Sequence, residues 1–348
     1  MRPKEYIEKV RSREIYDPVL TFQLSNDFHV RRVIRNYLPN DEESKHCATL
    51  LQWDNIYYQP PTQSIVEKRP TVRIGMVQWQ MRPYHSIDDL FEQVEFFVDS
   101  VSDYKSDFIL FPEYFNAPLM ARFNDMGEAQ SIRAMAQYTE KIRDRFVELA
   151  ISYNINIITG SMPFVKEDGA LYNVGFLCRR DGSYEMYEKI HVTPDEQKCW
   201  GLTGGSHVQT FDTDCGKIGI LICYDVEFPE LSRLMADDGM QILFVPFMTD
   251  TQNAYSRVRV CAQARAIENE CYVAIAGSVG NLPRVHNMDI QYAQSAVFTP
   301  CDFAFPNDGK RSEATPNTEM ILVSDVDINL LNALPPYGSV RNLRHRRN

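Results

Sequence analysis

From Val72 onward the chain switches repeatedly between two hydrophobic periods. Stretches with alternating or unbroken apolar residues read as strands: VRIGMVQWQ (72–80), DFILFPEYF (107–115), INIITGSMPF (155–164), YNVGFLCRR (172–180) and SYEMYEKIHV (183–192). Further along, KIGILIC (217–223), QILFVPFM (241–248), CYVAIAGSV (271–279) and MILVSDVDI (320–328) have the same character. Helical spacing appears between them. Ile87, Leu90, Phe91, Val94, Phe97, Val98 and Val101 form one stripe, preceded by Ser86 with Asp89 at the capping-box distance. Ile142, Phe146, Leu149, Ala150 and Tyr153 form another, and AYSRVRVCAQARAIEN (254–269) is a third helix. Strands alternating with helices predict an α/β domain with a layered sheet.

The first part of the chain reads differently. Residues 1–66 are rich in charge and tyrosine, with one short strand-like run from Asp27 to Ile34. The proline-bearing stretch QPPTQSIVEKRP reads as a linker, so the expected division is an extension over 1–66 and a main domain over 67–348.

Composition narrows the function classes. With 348 residues, 44% hydrophobic and 24% charged, the chain is sized for a globular enzyme. A formal net charge of −11 argues against a general nucleic-acid binder. The cationic tail with Arg341, Arg344, Arg346 and Arg347 reads as a solvated terminus. No apolar stretch approaches the length of about 18 residues that a membrane span requires, and the charged N-terminus does not read as a signal peptide. The eight cysteines are scattered without a C-x-x-C pair. They read as reduced thiols of a cytoplasmic protein, with no zinc-ligand spacing and no metal or cofactor implied.

Cys223 stands apart from the other cysteines. It ends the apolar run 217–222, Tyr224-Asp225 begin a turn, and Pro229-Glu230 open a helix. A thiol at a strand-to-helix turn faces backbone N–H groups and partial positive charge, both of which favour the thiolate. Glu113 follows the run 108–112, and Lys189 follows 186–188 and precedes 190–192, so a carboxylate and an ammonium also sit at or near strand ends. Groups at the carboxyl ends of strands in α/β sheets converge on one cleft. Together the three suit acyl chemistry: a carboxylate base for the thiol, and a cation with a backbone N–H for the oxyanion. Glu196 could orient the lysine or the leaving amine. Taken singly, each has an ordinary reading, as a surface acid, a solvated cation and a packed core thiol.

These motifs resemble the nitrilase, or carbon–nitrogen hydrolase, superfamily. The resemblance rests on Phe111-Pro112-Glu113, Lys189-Ile190-His191 through Glu196, Cys223-Tyr224-Asp225-Val226-Glu227-Phe228-Pro229-Glu230, and Arg265-Ala266-Ile267-Glu268-Asn269, and covers about residues 70 to 330. It implies a four-layer α-β-β-α sandwich that pairs with a second copy into an αββααββα dimer. It also implies Glu113 as general base, Cys223 as nucleophile, Lys189 with the Tyr224 N–H as the oxyanion hole, and Glu196 as a supporting acid for which Asp195 competes. The reaction implied is hydrolysis of a non-peptide C–N bond through a Cys223 thioester, of amidase or N-carbamoyl amidase type. A glutaminase-type ammonia supplier, a nitrilase, an acyltransferase and a silent binding protein are the alternatives.

Of the remaining candidates, Tyr114, Phe115, Asn116 and Trp200 are expected to line the pocket. His191 is expected to pack beside the site. Arg257, Arg259 and Arg265 either neutralise an acidic substrate or pair with structural carboxylates, while Asp289 and Asp302 are left unassigned. The run 28–53 resembles the closing strands of a GNAT-type acetyltransferase domain, without the Gly-rich acetyl-CoA loop, so acetyl transfer is not expected.

Overall fold

The computed structural model describes residues 1–26, 28–34, 37, 41–53, 71–84, 86–283, 285 and 288–346. The stretch read as a linker and Arg347 of the basic tail lie outside the described residues. The chain divides into two compact units, Met1–Glu67 and Lys68–Asn348.

In the first unit, helices α1 (Pro3–Arg11) and α2 (Pro18–Ser25) both start on a proline, which loses no helical hydrogen bond there. Asp17 caps α2 by accepting from the N–H groups of Val19 and Leu20. The Tyr6 hydroxyl donates to the other oxygen of the same carboxylate at 2.9 Å, which ties α1 to the cap. Strands β1 (Phe28–Ile34) and β2 (Ala48–Trp53) pair antiparallel, with a register shift between Val30 and Arg32. Among the described residues of this unit, Ile7, Val10 and Leu20 are buried apolar side chains.

The second unit opens with β3 (Thr71–Met81) and α3 (Ile87–Asp103), whose N-terminus carries the expected reciprocal capping box between Ser86 and Asp89. It continues through β4 (Phe108–Leu110), α4 (Glu128–Met135), α5 (Thr139–Ser152), β5 (Asn156–Ile158), β6 (Met162–Val165), β7 (Leu171–Cys178) and β8 (Tyr184–Glu188). Next come β9 (Thr210–Thr213), β10 (Gly216–Ile220), α6 (Pro229–Asp237), β11 (Ile242–Phe247), α7 (Gln252–Glu268) and β12 (Tyr272–Asn281). The short strands β13 (Ile290–Gln291), β14 (Ala296–Phe298) and β15 (Lys310–Glu313) precede β16 (Met320–Asp327) and the helices α8 (Ile328–Tyr337) and α9 (Asn342–His345).

Strands pair in the order β6-β7-β5-β4-β3-β12-β11-β10-β9, with β3, β4 and β5 parallel to one another, and β10, β11 and β12 likewise. Among the described residues the two sets pair at one end, where Ser278–Gly280 of β12 pair with Trp79–Met81 of β3. The sheet therefore folds into two facing layers. Alternation along the strands shows the layering. Ile74, Met76, Phe108 and Leu110 pack with Ile218, Ile220 and Phe244 between the layers, whereas Trp79, Ile109, Phe111 and Ile157 pack with Leu90, Val94 and Val98 of α3 and Phe146 of α5. The Phe108 and Phe244 rings, 5.2 Å apart, bridge the two layers. Helices α6 and α7 cover the other side, completing an α-β-β-α sandwich.

Several strands are shorter than the sequence pattern predicts, and the reasons bear on the site. The run 107–115 is a strand only to Leu110, since Pro112 has no N–H for a ladder. The run 155–164 breaks at Gly160, whose φ of 70° and close approach to the Pro112 carbonyl leave no room for a Cβ. The run 183–192 is a strand only to Glu188. In each case the chain leaves the sheet next to a candidate functional residue.

Candidate active site

The carboxyl ends of β4, β8, β10 and β11 open onto one cavity of about 560 Å³. Glu113 stands three residues past β4, fixed by a bridge to Ser161 whose carbonyl accepts from the Tyr114 N–H at 2.9 Å. Lys189 is the first residue after β8; its N–H donates to the Asn173 carbonyl and its own carbonyl accepts from Gly205. Glu196 opens a single π-helical turn, Glu196–Trp200, a geometry often found at functional sites. Cys223 begins the 3-10 turn Cys223–Glu227 ahead of α6. Its φ of 48° and that of Tyr114, 49°, place both residues in the left-handed region, a sparsely populated conformation for a side-chain-bearing residue.

Polar contacts join these groups into one network. Lys189 Nζ donates to Glu113 Oε1 at 2.8 Å and to Glu196 Oε1 at 2.7 Å. Asn173 Nδ2 donates to the same Glu113 oxygen at 2.9 Å. The Met248 peptide spans base and thiol: its N–H donates to Glu113 Oε2 at 3.0 Å, and its carbonyl lies 3.7 Å from Cys223 Sγ as acceptor. Glu196 Oε2 accepts from the Thr193 N–H at 2.7 Å, and the Tyr114 hydroxyl reaches Glu196 Oε1 at 3.4 Å.

Burial sets the electrostatics. Glu113 is 1% exposed, Lys189 2%, and Glu196 and Cys223 6% each. Burial raises the Glu113 carboxyl above the usual carboxylate range, with Lys189 opposing and Glu196 adding to the rise. Burial works against the charge of Lys189, but Glu113 and Glu196 outweigh it and hold the ammonium well above its ordinary range. The Cys223 thiol is pushed well up by burial and by the Glu113 charge, with Lys189 opposing. Local backbone dipoles favour a thiolate, whereas desolvation next to a carboxylate opposes it and raises the thiol.

The cavity lining includes Glu113, Lys189, Glu196 and Cys223, together with Tyr114, Trp200 and Tyr224. Tyr114 and Trp200 meet edge to face, with ring centroids 5.4 Å apart. Asp195 also lines the cavity but is exposed, and Glu196 is the acid that pairs with Lys189. Asn116 is not in the lining. The left-handed Tyr114 turns the chain into the core, and Asn116 is fully buried at the start of the 3-10 turn Ala117–Phe123, with Phe115 packed in the core beneath.

Of the three arginines, Arg259 pairs with Glu313 and Arg265 with Glu268, and Arg265 also donates to the Val226 and Glu227 carbonyls. Arg257 lines the cavity mouth and pairs with Glu227 at 3.3 Å. Asp289 lines the mouth, whereas Asp302 accepts from Ser339 away from it.

Three positions that contact these groups were given no role from the sequence. Asn173 lies inside a strand, where an asparagine between apolar neighbours was the available signal. Met248 acts through its peptide, which leaves no side-chain signal. Asp225 is buried and accepts from the N–H groups of Ile190 at 2.9 Å and His191 at 2.7 Å. His191 packs beside the site as expected, its ring stacked on Phe228 at 3.6 Å.

Residues 73–335 match the family described as carbon-nitrogen hydrolase. The "Probable hydrolase YhcX" of Bacillus subtilis (strain 168) is 47% identical over 348 residues, which is 100% of this chain and 68% of that protein. The "Omega-amidase NIT2" of Mus musculus is 29% identical over 273 residues, 75% of this chain and 90% of that protein. Among solved structures, Saccharomyces cerevisiae Nit3, described as a member of branch 10 of the nitrilase superfamily, superposes with a TM-score of 0.63 at 22% identity, covering 79% of this chain and 97% of Nit3. That likeness is one of fold, and it agrees with the sandwich described above. Among the described residues no helix is long and apolar enough to cross a membrane.

Proposed function

Because the chain belongs to the carbon–nitrogen hydrolase family, we propose that it hydrolyses the C–N bond of a linear amide, as an amidase or N-carbamoyl amidase, through a thioester on Cys223. The observation that carries this reading is the Met248 peptide, which touches the Glu113 carboxylate with its N–H and the Cys223 thiol with its carbonyl, beside the Lys189 ammonium. Base, nucleophile and cation share one cavity.

In the first half-reaction the Cys223 S–H passes its proton to Glu113 as the sulfur attacks the carbonyl carbon. The carbonyl π electrons move to oxygen, where Lys189 Nζ and the Tyr224 N–H hold the negative charge. Collapse breaks the C–N bond. The amine departs with the proton from Glu113 and leaves the acyl group on sulfur. Glu113 then takes a proton from water, and the resulting hydroxide attacks the thioester. The thiolate leaves, recovers that proton, and the carboxylic acid is released. A carboxyl raised by burial suits this exchange, because it accepts a proton more readily than an exposed glutamate does.

The described cavity mouth carries Asp195, Glu227, Asp250 and Asp289 against one guanidinium, Arg257, already paired with Glu227. This balance disfavours an anionic group near the scissile bond and favours neutral or cationic amides. Pairing of two copies belongs to the same reading and is checked by the particle mass in solution. The antiparallel β1–β2 pair supports the acetyltransferase-like reading of residues 28–53, with no acetyl transfer attached to it. An ammonia-release screen across neutral, cationic and anionic amides, ureides and nitriles tests the reading. Release that depends on Cys223 is the expected result; release unaffected by Cys223→Ala, or from nitriles alone, refutes it.

A further inference from the structure

Asp225 takes no part in the reaction written above and does not line the cavity, yet it is a fully buried carboxylate two residues from the thiol. Its Oδ2 accepts from the Ile190 N–H at 2.9 Å, its Oδ1 from the His191 N–H at 2.7 Å, and His191 Nδ1 lies 3.0 Å from Oδ1. Ile190 is the residue directly after Lys189. Asp225 thus fastens the main chain leaving Lys189 to the same 3-10 turn that presents Cys223. The stacking of His191 on Phe228, at the far end of that turn, fastens it again.

On its other side Lys189 is anchored to β7, its N–H donating to the Asn173 carbonyl. The main chain that leaves Lys189 is therefore joined to the turn that carries the sulfur, and Asp225 makes both hydrogen bonds of that joint. The side-chain identity follows from the donors. Two adjacent N–H groups need an acceptor on each terminal atom, which a carboxylate has and a carboxamide does not.

We propose that Asp225 is a positioning residue, which sets where the Lys189 ammonium stands relative to the Cys223 sulfur by holding the Ile190–His191 main chain against the turn that carries the thiol. The proposal rests on the thioester reading, in which Lys189 holds the oxyanion. Asp225→Asn turns an N–H₂ towards one of the backbone N–H groups and loosens the joint without changing side-chain volume.

The test uses the full chain and p-nitrophenyl acetate as probe, following the burst of p-nitrophenolate and the acetyl mass on the protein. Absence of a Cys223-dependent acetyl adduct in the unaltered protein refutes the thioester reading itself, a result separate from the outcomes that follow. With the adduct present, Asp225→Asn is expected to slow acylation about 10- to 100-fold, as a displacement on the order of 1 Å does. The half-saturating probe concentration of the acylation step itself, read from single-turnover traces, should stay within about 3-fold of the unaltered protein.

The decisive arm repeats the substitution in a Lys189→Met background. There Asp225→Asn should cost less than about 3-fold more, because its effect passes through the lysine. An unchanged acylation rate in the single variant, or an equally large loss without Lys189, overturns the proposal. Should Asp225→Asn fail to fold, His191→Asn decides, since it removes the ring's contact with the carboxylate and its stacking on Phe228 and leaves both backbone N–H donors in place. A loss of about 3-fold that disappears without Lys189 supports the joint, and an unchanged rate overturns it.

Discussion

The two walls of the cavity are held by different forces. On the wall built from β4, β8 and the π-helical turn, charges hold one another: Lys189 lies between Glu113 and Glu196, all three almost without solvent. On the wall built from β10 and β11, backbone does the holding: a left-handed Cys223, the Met248 peptide and the N–H groups that fasten Asp225. A buried charge cluster tolerates loss of a member poorly, because the remaining charges stay desolvated and unmatched. A thiol placed by backbone has no ionic partner to lose. It exchanges its proton with the opposite wall, and burial raises both Glu113 and Cys223.

The sharpest way to break this comparison is to remove one group from each wall. Cys223→Ala is expected to keep the fold, since the turn is held by main chain and by Asp225, while turnover of any amide falls below detection. Circular dichroism and ammonia release check both halves, and undiminished release sinks the mechanism. Glu113→Gln should lower kcat by about 100- to 10,000-fold, the span for a lost general base. It should slow acylation and thioester hydrolysis together, as rapid-quench measurement of the acyl adduct would show. A variant impaired only in KM would place Glu113 in binding and remove it from proton transfer.

A smaller effect sharpens the electrostatic side. Glu113 acts ionised, and burial raises its pKa. The acid limb of kcat/KM should therefore lie above the value of about 4.3 for an exposed glutamate. The negative charge of Glu196 contributes to that rise. Glu196→Gln removes it and leaves Lys189 facing Glu113 alone, so the limb should move to lower pH, with a rate loss of about 10-fold from looser placement of the lysine. A limb that stays in place would mean that Glu113 is not the titrating group.

How much of this was readable in the sequence follows from the same division. The charged wall was legible in part: Glu113 and Lys189 stand at or near the ends of strand-like runs, whereas Glu196, seven residues after Lys189, had Asp195 as a competitor. The capping box at Ser86 and the layered α/β order were legible for a similar reason: both are patterns of local residue type. The backbone wall was not. The Met248 peptide has no residue signature, and the joint between Asp225 and Ile190–His191 closes over more than thirty positions of chain. Asn116 was misplaced because a left-handed turn at Tyr114 does not show in the spacing of apolar residues. The rise of the thiol was not legible either, because dipoles at a turn are local, whereas burial beside Glu113 is a product of the whole fold.

The smallest effect tests where the charged wall ends. Arg257 lines the mouth with its side chain 61% exposed and pairs with Glu227 at 3.3 Å. Exposed pairs contribute little and are screened by salt, unlike the buried pairs of Lys189. Arg257→Ala should therefore leave kcat for a neutral amide such as propionamide unchanged and lower kcat/KM for an anionic one such as succinamate by only about 2- to 3-fold, an effect that fades as salt is raised. The unaltered protein should already prefer propionamide, since the described acids of the mouth outnumber its one guanidinium. A loss for succinamate of more than about 10-fold, insensitive to salt, would make Arg257 an anchor for a substrate carboxylate. The preference for neutral or cationic amides would then fail, while the division between the two walls would stand.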